Sequence, residues 1–122
     1  MDTSAYLSLF LQESRENSAK IEQQLIAAEK GATPELLTEL MRLCHSCKGA
    51  AATMGFDRLA QFCHALEDIF DSVRKGQRSL TTATVDLCLK ALDGYKAALS
   101  HIEETKQEPE TFDATGFFTS VD

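Results

Sequence analysis

Apolar residues return at three- and four-residue spacing in four separate stretches of this chain, and that rhythm admits few folds. The clearest stretch places Leu37, Leu40, Cys44, Cys47 and Ala51 on one helical stripe. Just before it, Thr33, Pro34 and Glu35 combine a capping side chain, a first-turn proline and a first-turn acid. Together they predict a helix start, with the helix reaching about Thr53. Upstream, Tyr6, Phe10, Ile21, Leu25 and Ala28 predict a helix from Thr3 to about Lys30, capped by Asp2 or Thr3 and stopped by Gly31. Ser14, Asn17 and Ser18 interrupt its stripe, so packing is expected only at its two ends.

Downstream, Gly55 ends the second helix, and Asp57 is placed to cap a third that runs to about Lys75 and is closed by Gly76. Its apolar positions are Leu59, Phe62, Cys63, Leu66, Ile69, Phe70 and Val73. Thr81 opens a fourth helix, with Leu80 and Val85 as a hydrophobic staple, continuing through Cys88, Leu92, Tyr95, Leu99 and Ile102. Two prolines and six glycines leave only short connections between these elements. The expected fold is all-α, an antiparallel up-and-down four-helix bundle over residues 1–104. From Glu103 the pattern dissolves into EETKQEPE, and residues 105–122 read either as an acidic linker or tail or as a short fifth helix docked on the bundle.

Charge and cysteine usage narrow the function classes. A formal net charge of −7 works against nucleic acid, whose phosphates call for clustered Lys and Arg. No apolar run approaches the roughly 20 residues that span a bilayer, and the start lacks a basic segment followed by an apolar one. Neither membrane insertion nor nucleic-acid binding is expected, and a cytoplasmic location is. At 122 residues the chain can bury a core without disulfides or a structural metal. Cys44, Cys47, Cys63 and Cys88 fall within helical patterns and are expected to be reduced core thiols.

Chemistry concentrates in LCHSCKGAAATM, residues 43–54. At roughly 100° per residue His45 points away from the buried stripe and Lys48 flanks it, so the imidazole is expected in solvent. It is read as an exposed nucleophile that accepts and hands on a phosphoryl group. One turn away, the Lys48 ammonium can reach oxygens of a group attached to the ring. Gly49 costs about 1 kcal/mol relative to alanine in a helix interior. Either it opens an approach to His45 or it packs closely against another helix, and spacing alone leaves both readings standing. On the third helix His64 and Glu67 share an off-core face with Asp71. If the two helices are neighbours, Glu67 can accept from the His45 Nδ1–H and leave Nε2 as the basic nitrogen, while His64 orients Glu67 or tunes the ring.

A competing zinc site would draw on Cys44, His45, Cys47, Cys63 and His64. The cysteines belong to the apolar stripes and the histidines point off them, so no metal is expected. Buried thiols are likewise poor candidates for nucleophilic catalysis.

Three blocks, MDTSAYLSLFLQESRE, HSCKGAAATMGF and LAQFCHALEDIFDSVRKG, taken in order, resemble the histidine phosphotransfer (HPt) domains, and most closely the amino-terminal ones of the CheA family of chemotaxis histidine kinases. The resemblance implies that His45 is phosphorylated on Nε2, that Lys48 and Glu67 assist, and that His64 completes the hydrogen-bond network. It implies as donor an ATP-binding domain of the same kinase, acting within a dimer. It implies as acceptors the response regulators of the CheY and CheB type. No cofactor is expected in this domain; ATP and Mg²⁺ come with the kinase domain. The isolated domain is expected to be monomeric and unable to phosphorylate itself, since no ATP-lid motif is present, and to be an N-terminal piece of a longer kinase. Two alternatives are a free-standing phosphotransfer protein of a multistep phosphorelay and a structural or zinc-binding helical bundle.

Overall fold

The computed structural model describes residues 4–116. Four helices follow one another: α1 Ser4–Ala28, α2 Pro34–Thr53, α3 Asp57–Arg74 and α4 Thr82–Thr105. The α1 cap expected at Asp2 or Thr3 lies outside the described residues. Each helix runs opposite to its sequence neighbour. In α1 and α4, Arg15 meets Glu103 and Glu22 meets Lys96, a pairing only antiparallel helices allow. In α1 and the α2–α3 connection, Phe10 packs on Phe56 with ring centroids 5.2 Å apart. Between α3 and α4, Phe62 stacks on Tyr95 at 5.3 Å with ring planes 6° apart.

Local chemistry explains where the helices begin and end. Thr33 is the α2 cap, its Oγ1 accepting the Leu36 N–H at 3.1 Å, with Pro34 in the first turn. Thr81 does the same for α4 through the Thr84 N–H at 3.2 Å. Helix α2 closes in a Schellman arrangement, Gly55 N–H to Ala52 O and Phe56 N–H to Ala51 O, with Gly55 at φ 79° where only glycine is unstrained.

Two expectations are corrected. Helix α1 packs along its whole length: Leu7, Leu11, Ser14 and Ser18 join Phe10, Ile21, Leu25 and Ala28 in the buried face, while Tyr6 is 53% exposed. Serines serve here because they are small. The Ser18 hydroxyl turns back onto Arg15 O at 3.0 Å, which satisfies its hydrogen-bonding need within the helix. Ser14 Oγ sits beside the Tyr95 hydroxyl in the same layer, neither making a well-formed hydrogen bond. The second correction concerns Asp57. The capping position of α3 is Phe56, which has no side-chain cap, and Asp57 sits inside the first turn, where its charge favours the helix dipole.

The core is one continuous cluster drawn from all four helices, in which Leu40, Cys44, Leu59, Phe70, Cys88 and Leu99 are fully buried. Beyond Thr105 the chain turns at Lys106, which adopts the left-handed conformation (φ 66°), and runs back against α3 as far as Gly116. Ala114 is buried there. Residues 117–122, with the remainder of the expected tail or fifth helix, lie outside the described residues. Among the described residues no helix is long and apolar enough to cross a membrane.

Candidate functional site

Helices α2 and α3 lie side by side, joined by the tight turn at Gly55, and this sets one polar face of each against the other. From α2, His45 projects outward with its side chain 71% exposed. From α3, Glu67 lies across the groove and is only 17% exposed. Its two oxygens are divided: Oε2 is 3.5 Å from His45 Nδ1, and Oε1 accepts from Lys48 Nζ at 2.9 Å. The half-buried Lys48 is thus an ion-pair partner of the carboxylate rather than a solvated surface charge, and Lys48, Glu67 and His45 form one chain of polar contacts.

The opposite face of the same two helices is apolar. Cys44 and Cys47 of α2 and Cys63 of α3 are buried. Burial holds the Cys44 thiol well above its ordinary value. Cys47 and Cys63 share a thiol–thiol hydrogen bond across the helix pair, and that contact together with burial raises Cys63. On α4, burial pushes the Cys88 thiol up to about 12. The contact with Cys63 lowers Cys47, whereas the raised Cys44, Cys63 and Cys88 thiols stay protonated and are inert packing groups near neutral pH. The soft ligands therefore do not converge, and among the described residues no three His, Cys, Asp or Glu side chains are grouped as an ion would require.

Gly49, one turn beyond His45, is exposed, and a Cβ built on it would meet nothing within 4 Å. Close helix packing is therefore not what places glycine there. The space it leaves continues into an open groove of about 220 Å³ between the start of α1 and the end of α2, lined among others by Tyr6, Leu9, Glu13, Gly49 and Thr53.

A sequence profile of the Hpt domain matches residues 5–105, nearly the whole bundle. The chain belongs to the Hpt domain family. Among similar proteins are the chemotaxis protein CheA of Bacillus subtilis, 34% identical over 103 residues, and that of Klebsiella aerogenes, 35% identical over 115 residues. The matches cover 84% and 93% of this chain but only 15% and 18% of those proteins. CheA of Halobacterium salinarum is 31% identical over 117 residues, 95% of this chain and 17% of that protein. A solved structure, the phosphorylated P1 domain of CheA3 in complex with CheY6 from R. sphaeroides, superposes with a TM-score of 0.83 over 94% of this chain and 91% of that one. At 20% identity it carries the fold.

Within this Hpt domain the residues singled out from sequence do not all assemble. His45, Lys48 and Glu67 meet. His64, expected to orient Glu67, instead has its Nε2 3.6 Å from Asp68 Oδ1, one turn along the same helix, and is largely exposed. Asp71 is paired instead with Lys75 and Arg74, at 2.8 and 2.7 Å, and their hydrogen bonds lower its carboxyl. Asp68 itself carried no sequence signal beyond being one turn from His64 on a solvent face.

Proposed function

We propose that this Hpt domain is the phosphoryl carrier of a two-component chemotaxis kinase, with His45 as the acceptor. The observation that supports it best is the division of the Glu67 carboxylate between His45 Nδ1 and Lys48 Nζ. A carboxylate facing Nδ1 favours the tautomer with hydrogen on that nitrogen and leaves the Nε2 lone pair toward solvent. In the first step Nε2 attacks the γ-phosphorus of ATP, held with Mg²⁺ by the kinase's ATP-binding domain. A P–N bond forms, the P–O bond to ADP breaks, and ADP leaves with the electron pair. The imidazole becomes cationic, and Glu67 offsets that charge at Nδ1. In the second step a carboxylate oxygen of a response-regulator aspartate attacks phosphorus, the P–N bond breaks, and its electrons return to Nε2.

Lys48 stands close enough to face the transferring oxygens once its hold on Glu67 loosens. His64, paired with Asp68, lies one step outside this set and tunes the site through charge. The open groove beside Gly49 gives a receiver domain of the CheY or CheB type room to bring its aspartate to the ring. The similarity to CheA proteins, of which the chain spans 15–18%, supports a kinase-borne domain over a free-standing relay protein. Such a domain works as a monomer in the cytoplasm, without a cofactor of its own.

The test is incubation with ATP, Mg²⁺ and a CheA-type kinase core, followed by assay for acid-labile, alkali-stable phosphate. The expected result is stoichiometric labelling that moves to a CheY-type regulator on mixing and is absent in His45→Gln. Labelling that persists in His45→Gln would sink the assignment.

A further inference from the structure

Helix α3 opens without a cap of its own, and the group that serves instead comes from the far end of the chain. The Glu108 carboxylate accepts the Arg58 N–H through Oε1 at 3.1 Å and the Leu59 N–H through Oε2 at 3.3 Å. These are amides of the first turn, which have no partner within the helix, and a carboxylate satisfies them while meeting the positive end of the helix dipole. The attachment is reciprocal. The Arg58 guanidinium donates back to the Glu110 and Phe112 carbonyls, so each segment supplies the charged group that the other's backbone needs.

Phe112 completes it from the apolar side. Its ring lies 5.6 Å from Phe62, tilted by 57°, and Phe62 in turn stacks on Tyr95 of α4. The turn at 105–107 aims the chain there: Lys106 takes the left-handed conformation, and Thr105 Oγ1 accepts the Gln107 N–H at 3.2 Å. At the other end, Asp113 Oδ1 accepts the Gly116 N–H at 2.7 Å and closes a final turn.

We infer that residues 106–116 are a strap that acts as the N-terminal cap of α3, with Glu108 as a positioning residue for the helix that carries Glu67. The matched family profile stops at residue 105, so this strap lies beyond it. Anything attached after the strap connects to the bundle through α3 as well as through α4, and release of the strap uncaps the site-bearing helix. These hydrogen bonds and ring contacts hold the strap whatever His45 does.

Amide hydrogen exchange on the full 122-residue chain carrying Glu108→Gln tests it. A cap of this kind is expected to change local opening by about fivefold, so the Arg58 and Leu59 amides should lose about that much protection while amides of α4 keep theirs. Glu108→Asp, which keeps the charge on a shorter arm, should recover part of it. Phe112→Ala should loosen the same two amides from the opposite side of the strap. Unchanged protection at Arg58 and Leu59 in Glu108→Gln would overturn the inference. So would an equal loss in all four helices, which would mark Glu108 as a general stabiliser and not a cap of α3.

Discussion

Cys44 and His45 are consecutive residues of α2, and Leu66 and Glu67 are consecutive residues of α3, yet each pair is split between two environments. Cys44 and Leu66 face the core with almost no exposed surface, whereas His45 is 71% exposed and Glu67 lines the groove between the helices. A rotation of roughly 100° per residue separates them. On the inner face the Cys44 thiol, which could be a nucleophile, is silenced by burial, because a thiolate cannot be hydrated there. On the outer face an exposed imidazole is given a carboxylate as neighbour, and that carboxylate in turn holds an ammonium. Reactivity here follows from which face a side chain occupies more than from which element it belongs to.

Substitutions at adjacent positions should separate the two faces. Leu66→Ala is expected to cost about 2–5 kcal/mol of folding stability in denaturant titration, because it empties a closely packed site between helices. Beside it, Glu67→Gln should leave the unfolding midpoint nearly unchanged and slow phosphorylation of His45 by about 10- to 100-fold in rapid-quench assays, since a neutral amide no longer offsets the imidazolium. Lys48→Ala should slow the same reaction less, because it leaves the Glu67–His45 contact in place. If Glu67→Gln destabilises the bundle as much as Leu66→Ala does, the division into a structural and a chemical face is wrong.

The inner face also predicts a pH dependence. A thiol whose folded-state value is raised stays neutral in the folded chain while the unfolded chain ionises, so its contribution to stability is intact below the free-thiol value and is lost as pH rises toward the folded one. For Cys88 that window runs from 9.0 to about 12. Denaturant titrations at pH 8 and pH 10.5 should therefore show a smaller loss of stability for Cys88→Val than for the unaltered chain, and equal losses would remove the thiol as the cause. The smallest effect is expected at Gly49. Because a Cβ there meets nothing within 4 Å, Gly49→Ala should raise stability by about 0.5–1 kcal/mol through helix propensity. Its phosphotransfer to a regulator should slow at most severalfold, as the methyl group narrows the approach to the ring.

Much of the fold was legible in the chain because the signals are local. The Thr33 and Thr81 caps, the Gly55 and Gly76 stops and the stripe of Leu37, Leu40, Cys44, Cys47 and Ala51 depend on residues within one or two turns, and the structure places them as expected. Legibility failed where burial depends on size and not on polarity. Ser14 and Ser18 read as gaps in the apolar face of α1, but the neighbouring helix comes close enough to cover them. It failed again at Asp57, a residue of capping type standing one position too late, inside the first turn of α3. Within the candidate site, the exposure of His45 follows from its angle off the stripe and the nearness of Lys48 from its place one turn on, whereas His64, expected to orient Glu67 because it shares that helix face, sits against Asp68.

By itself, then, the sequence determined four amphipathic helices, their approximate ends, and which side of α2 would expose a histidine, because helical periodicity is a property of neighbours along the chain. Only the tertiary structure decided that Glu67 would hold His45 and Lys48 on its two oxygens at once. Only it decided that the cap of α3 would be Glu108, fifty residues away. Both depend on the distance between segments remote in sequence, and that distance is set by how the core packs, through side chains whose pairing no local pattern encodes.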